Sequence, residues 1–379
     1  MKRLAMALVN PTPDLGGACS LMLELGGLVV IHDAAGCIEN YVCFDEPRWY
    51  GSDSMLYTSG LSHMDAVLGN EERLAGQLVR AAQKLHPKFI AIVGSPVPFT
   101  LGMDLKGLAM EVERQCGIPS FGLECGSFSR YGQGASDALY CLMDRFTLPP
   151  QEKEKSVFAV NLLGATPLDF TDRQIAEIRQ KLQEDGVAVK SALCMGASLE
   201  DIVSAANVDV NLVVSYGGLQ AACLMKERFS IPWTWGLPVA ERQTEALCRR
   251  LKGKPSAKSG DTPAGVRCLV LGEQVFAASM AEALCLNGIG AAAGITMDFS
   301  PAIGGAVPSL RLPDEESVRT ALQEDWEIVI GDPLYRALMP QNTEAQFLAR
   351  PHTALSSHLY TKDEIGFQKL FDLVRSYVK

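Results

Sequence analysis

The chain has 379 residues, 47% of them hydrophobic and 21% charged, with a formal net charge of −10. That length exceeds one ordinary domain, so three α/β units are expected, and the acidic balance excludes a surface built to displace counterions from nucleic-acid phosphates. No apolar run approaches the roughly 18–20 residues that span a bilayer, and MKRLAMALVNPTPDLGG breaks at Pro11, Pro13 and Asp14 without a cleavage site, so a cytoplasmic protein away from membranes is expected.

In chain order, a Gly-Gly-Ala-Cys19 loop precedes the helix-like SLMLELGG, and LVVIH reads as a strand that ends in the DAAGC turn carrying Cys37. FIAIV is a short continuous apolar run of the kind found in buried parallel strands. It is followed by the GSPVP turn with Ser95 and by DLKGLAMEVERQ, which is apolar at helical spacing before CGIP stops it. This is a βαβ unit. The rhythm returns in SVFAVNLLGA, DFTDRQIAEIRQKLQEDG and VAVKSALC, then in VDVNLVVSYGG and LQAACLMKERF. GKPSAKSGDTPAG has no apolar periodicity and reads as a linker. Beyond it, RCLVLGEQ, VFAASMAEALCLNGIG, AAAGITM and DWEIVIGDP form a third series. The expected fold is α/β with three Rossmann-like parallel-sheet units over residues 1–150, 151–260 and 261–379, and ligands are sought at the carboxyl ends of their strands.

The 11 cysteines are odd in number and scattered, which does not suit a disulfide framework. Cys116, Cys141, Cys194, Cys223, Cys248, Cys268 and Cys285 lie in apolar patterns and read as buried small hydrophobes. Cys19 and Cys37 fall near a helix start and a strand end. There, unpaired N–H groups and the helix dipole favour the thiolate, the form that binds iron. Two cysteines 18 apart match no short motif, so buried thiols and metal ligands both stay open on spacing alone.

Taken together, ACSLMLELGGLVVIHDAAGC, DSMLYTSGLSHMDAVLGNEERL, KFIAIVGSPVPFTLGMDLKGL and VDVNLVVSYGGLQAACLMKERFSIPW resemble, in order and spacing, the nitrogenase component 1 superfamily. The resemblance runs from about Ala18 to about Phe367. It implies a dimer, of identical or paralogous chains, with an iron–sulfur cluster at the subunit interface. In that pattern a first cysteine starts a helix, here Cys19, and a second follows a strand, here Cys37. The third cysteine position holds Ser95. Two thiolates per chain, doubled by a twofold axis, suit one [4Fe–4S] cluster better than an eight-iron cluster. Ser95 is either an oxygen ligand or a cap on the following turn, and Cys43 is a spare ligand.

The position of the cofactor-anchoring cysteine in nitrogenase falls on Ser215, so nitrogen fixation itself is not expected. The family's cavity histidine falls on His352, with His358 six residues on, and the cavity-facing loop falls on Glu124 and Cys125. His352, His358, Ser215, Cys125 and Glu124 are therefore the cavity candidates, expected to converge on a mainly apolar pocket. No G-x-x-x-x-G-K-[ST] is present, so any ATP must be handled by a partner, which the resemblance implies is a P-loop iron–sulfur reductase similar to the nitrogenase iron protein. The expected function is the catalytic component of a two-component, ATP-dependent reductase acting on a small molecule. The alternatives are a maturation scaffold for a metal cofactor and a cluster-less binding protein on the same fold.

Overall fold

The computed structural model describes residues 5–34, 36, 38, 41–42, 46–69, 71–151, 157–254, 267–305, 307–357, 359 and 365–378. Cys37, Cys43 and His358 lie outside the described residues.

Three separate parallel sheets make up the fold. In the first, Leu28–Ile31 (β1), Met55–Thr58 (β2), Ile90–Val93 (β3) and Ser120–Leu123 (β4) lie in the order β2-β1-β3-β4, with Leu28 opposite Ile90 and Ile90 opposite Ser120. β1 and β3 are buried at every position, as strands covered on both faces must be. The second sheet has Ala159–Leu163 (β5), Ala188–Leu193 (β6), Val210–Val213 (β7) and Trp233–Trp235 (β8) in the order β6-β5-β7-β8. The third contains Arg267–Gly272 (β9), Gly290–Ile295 (β10), Ser309–Arg311 (β11), Ile328–Gly331 (β12) and Gln346–Ala349 (β13), ordered β11-β10-β9-β12-β13. The chain is thus an α/β protein of three Rossmann-like parallel sheets with helical crossovers.

Helix starts follow their capping chemistry. Thr171 and Gln174 form a reciprocal capping box at the head of the helix Asp172–Glu184, and Ser198 and Asp201 do the same for Leu199–Val203. The helices Asp14–Met22 and Tyr131–Phe146 meet backbone to backbone. A Cβ on Gly17 would strike the Tyr131 carbonyl, and one on Gly134 would strike the Asp14 carbonyl.

Two chain segments join the sheets. Before the first helix, residues 5–13 cross to the third sheet, where the backbone N–H groups of Met6, Ala7 and Leu8 all donate to Glu315 Oε2 at 2.9, 2.9 and 3.0 Å. The last helix, Phe367–Tyr377, returns from the third sheet and packs Phe367 against both Phe170 and Phe276. It is held by Glu177, which accepts from the N–H groups of Phe367 and Gln368. This helix therefore shares its core with the second unit as well as the third.

Candidate functional site

The thiols come first. The structure corrects the expectation that Cys19 starts a helix: the helix begins at Asp14, and Cys19 is its sixth residue, fully buried among apolar side chains. Burial, reinforced by Glu46, pushes this thiol well above the ordinary cysteine range, the opposite of a helix-start thiolate. Cys125 lies in the same core, and its thiol is likewise pushed up, first by burial and then by Asp14 and Cys19. Of the cysteines expected inside, Cys194, Cys248 and Cys268 are buried, whereas Cys116, Cys141, Cys223 and Cys285 are half-buried. Ser95 precedes the helix Pro96–Leu101 but its side chain does not cap it; Oγ donates to the His32 carbonyl across 3.1 Å, tying the end of β3 to the end of β1.

A cluster at a subunit interface needs thiolates that face open space. The sulfur of Cys19 is enclosed and favours its neutral form, so as placed it does not fit that group. Among the described residues, no set of three or more His, Cys, Asp or Glu side chains suits a metal ion.

The carboxyl ends of other strands converge at a second place. His352 follows β13 and is buried, with Nε2 3.3 Å from Asp169 Oδ1 and its ring 5.9 Å from that of Tyr131. Neither ring nitrogen makes a hydrogen bond among the described residues. Asp169 follows β5, and its Oδ1 accepts the Tyr131 hydroxyl at 2.6 Å. Tyr131 opens a helix after β4, so this pair joins the first unit to the second.

Ser215 follows β7 and donates Oγ to the Gly164 carbonyl at 2.6 Å, pinning two turns of the same sheet together. The Gly217–Gly218 pair allows the close approach: a Cβ on Gly218 would strike the Leu163 carbonyl. The next N–H, of Tyr216, donates to Glu273 Oε1 across 3.0 Å. Glu273 caps the helix Gln274–Leu286 through the Phe276 N–H and is acted on by the charge of Asp169, so the turn after Ser215 is linked electrostatically to the His352 side.

This junction is ionic, which corrects the expected apolar lining. Arg350 is buried beneath it, 3.7 Å from the Phe276 ring centroid. Asp332 accepts from the Leu334 N–H, the His352 N–H and the Ser356 hydroxyl. Asp298 sits against Gly132 at the head of the Tyr131–Phe146 helix. Sequence reading missed Tyr131, Asp169, Glu273, Asp298 and Arg350; Asp169, Glu273 and Asp298 follow predicted strands within a few residues, and that placement was the available signal.

Beside the junction is a cavity of about 480 Å³ bounded by Leu8, Arg130, Thr296, Leu312, Glu315 and Tyr335, within the usual range for small-molecule sites. Arg130 spans its floor, donating to the carbonyls of Thr296 and Pro313 at 2.8 and 2.7 Å. Residues before the first helix, from Ala5 to Pro11, form one wall of it. Glu124 and Cys125 line a different hollow of about 300 Å³, with Gly94, Phe99 and Asp104, so they are not brought to the His352 side.

Parallel sheets with a crevice at the strand ends define a ligand-binding α/β class. The family description "Nitrogenase component 1 type Oxidoreductase" matches residues 15–255, and the chain belongs to that family. It is 22% identical over 194 residues to the nitrogenase molybdenum-iron protein alpha chain of Methanosarcina barkeri, covering 50% of this chain and 36% of that one. Against component CfbD of the Ni-sirohydrochlorin a,c-diamide reductive cyclase complex of Methanothermobacter thermautotrophicus it is 26% identical over 168 residues, 43% of this chain and 44% of that one. Against one of the subunits of light-independent protochlorophyllide reductase from Chloroflexus aggregans it is 26% identical over 210 residues, 54% and 38% of the two chains. Each match spans less than half of the relative's length. A solved structure titled "Nitrogenase Cp1 at pH 6.5" shares the fold across 100% of this chain and 93% of its own, with a TM-score of 0.67 at 14% identity. Among the described residues no helix is long and apolar enough to cross a membrane.

Proposed function

We propose that the chain is the substrate-reducing component of a two-component, nitrogenase-like reductase. Electrons come from a separate P-loop iron–sulfur reductase that hydrolyses ATP, and a small molecule is reduced at the junction of three units bounded near residues 150 and 260. The observation that supports this most is the junction itself. Strand ends from all three sheets bring Tyr131, Asp169, Glu273 and His352 together beside a cavity of ligand size. Ser215 and His352 serve there as positioning groups.

A dimer, of identical or paralogous chains, is supported by the exposed apolar side chains Val97, Phe99, Leu101 and Phe128 near Ser95, a group that a second subunit would shield. A [4Fe–4S] cluster between the subunits rests, by resemblance, on Cys19 and Cys37, with Ser95 as a candidate oxygen ligand. Because Cys19 as placed does not fit, no step is routed through the cluster.

The test is anaerobic purification followed by an assay with a partner reductase, ATP and unsaturated small molecules. ATP-dependent reduction with about four irons per dimer is the expected result. Iron without turnover would overturn the catalytic reading in favour of a maturation scaffold. The enclosed sulfur of Cys19 favours a second reading, a cluster-less binding protein, and a colourless, iron-free preparation would establish it.

A further inference from the structure

Four carboxyl groups gather at the junction: Asp169 after β5, Glu273 after β9, Asp298 after β10 and Asp332 after β12. Two guanidinium groups face them. Arg350 lies among Asp169, Glu273 and Asp332, and Arg130 lies by Asp298. If all four carboxyls were ionised, two negative charges would remain uncompensated where Glu273 and Asp332 are 3% and 2% exposed. Desolvation makes such a state unfavourable, and proton binding relieves it.

The hydrogen bonds indicate where the protons sit. Asp332 accepts three donors, and Asp169 accepts the hydroxyls of Tyr131 and Thr166, so the oxygens of both are already engaged as acceptors. Asp298 lies against the backbone N–H groups of Gly132 and Gln133, which favour its charged form, and its buried Oδ2, without a well-formed hydrogen bond among the described residues, is the position a proton would take. Glu273 accepts two backbone N–H groups, yet it is enclosed and faces Asp169, Tyr131 and Arg350.

We propose that Glu273 and Asp298 are a proton store at the junction, linked by Tyr131 and Asp169, which supplies the protons that accompany electron delivery. Burial first, then Asp169, pushes Glu273 up to about 8. Burial against the opposing pull of Arg130 pushes Asp298 up to about 6. Asp298 is also faced by Asp169, Tyr131 and Tyr216.

Delivery rests on the reductase reading; storage does not. Reduction of one double bond consumes two electrons and two protons. The electrons come from the partner iron–sulfur reductase; the O–H bond of Glu273, in its acid form at neutral pH, breaks to supply one hydrogen, and the second proton enters from solvent on Asp298, a carboxylate above about pH 6, whose O–H bond breaks in turn as it passes that proton to the substrate. Both acids are left as carboxylates, to be reprotonated from solvent by way of the cavity beside Arg130.

Infrared difference spectroscopy on the full chain, titrated from acid to alkaline pH, tests storage without turnover. A protonated-carboxyl band should be present at neutral pH, decline as pH passes about 8, and be lost in Glu273→Gln. Asp298→Asn should remove the part that declines near pH 6. Tyr131→Phe keeps the ring and should move the band's midpoint, which covers the case in which an acid variant fails to fold. Absence of the band at neutral pH overturns the store whatever the activity. With the band present and a working assay, Glu273→Gln should lower turnover at least tenfold and shift its pH profile; unchanged turnover overturns delivery. If no reductase activity exists at all, the function proposed above fails while the band still decides storage.

Discussion

Arg350 holds its guanidinium 3.7 Å from the centroid of the Phe276 ring, and the pair is buried where the second and third sheets meet. The flat cation stacks on the ring face while its charge serves the carboxyls on the other side. A lysine has the charge but not the plane.

Arg350→Ala is therefore expected to cost about 3–5 kcal/mol, the range for breaking a buried charge arrangement from one side. Arg350→Lys should recover part of that loss. Denaturant unfolding of the three proteins measures both differences.

The two glycine contacts predict a second effect. Gly17→Ala and Gly134→Ala each force a methyl group into a carbonyl of the opposing helix, and overpacking of this kind costs about 1–3 kcal/mol or more. Gly102 turns the chain at a helix end with open space around it. Gly102→Ala should show only the strain of its left-handed backbone, so the melting temperatures of the three variants should separate into two groups.

A third prediction concerns pH. Glu315 is held down at about 2, chiefly by the N–H groups of Ala7 and Leu8. Its folded-state value lies below the usual carboxyl range, so its contribution is full above that range and lost as pH falls toward 2. Protection from hydrogen exchange at residues 6–8, relative to the intrinsic rate at each pH, should fall on acidification, and Glu315→Gln should lower it already at neutral pH.

The sulfur and oxygen candidates separate in a fourth experiment. Cys19→Ser places a hydroxyl in an apolar core and should destabilise by about 1–3 kcal/mol. Iron content should be unaffected by Cys19→Ala and abolished by Cys37→Ala. Ser95→Cys should be tolerated, since it loses one hydrogen bond to the His32 carbonyl. Elemental analysis of anaerobic preparations decides among these outcomes.

Most of the fold was legible because buried parallel strands are continuous apolar runs: LVVI, IAIV and VNLV are all buried at every position. The strands Trp233–Trp235, Ser309–Arg311 and Gln346–Ala349 were not, since they are short edges of mixed burial without such a run. The site was legible only by resemblance and only in part. The turn after Ser215 meets Glu273 and His352 meets Asp169, two carboxyls that act on each other, whereas Glu124 and Cys125 line a hollow elsewhere. The ionic core of the site could not be anticipated from composition. Asp169, Glu273 and Asp298 look like ordinary turn carboxylates until three sheets bring them together. Cys19 misled because a helix start was inferred from its glycines, while the chain had already become helical at Asp14.

The third sheet is fastened on two sides, by the clamp of Glu315 on residues 6–8 and by the helix Phe367–Tyr377 lodged against Phe170. A hinge between the third sheet and the other two would have to break both fastenings at once. One wall of the cavity beside Arg130 is then a few residues of backbone held by one carboxylate, and that wall is far lighter than the frame around it.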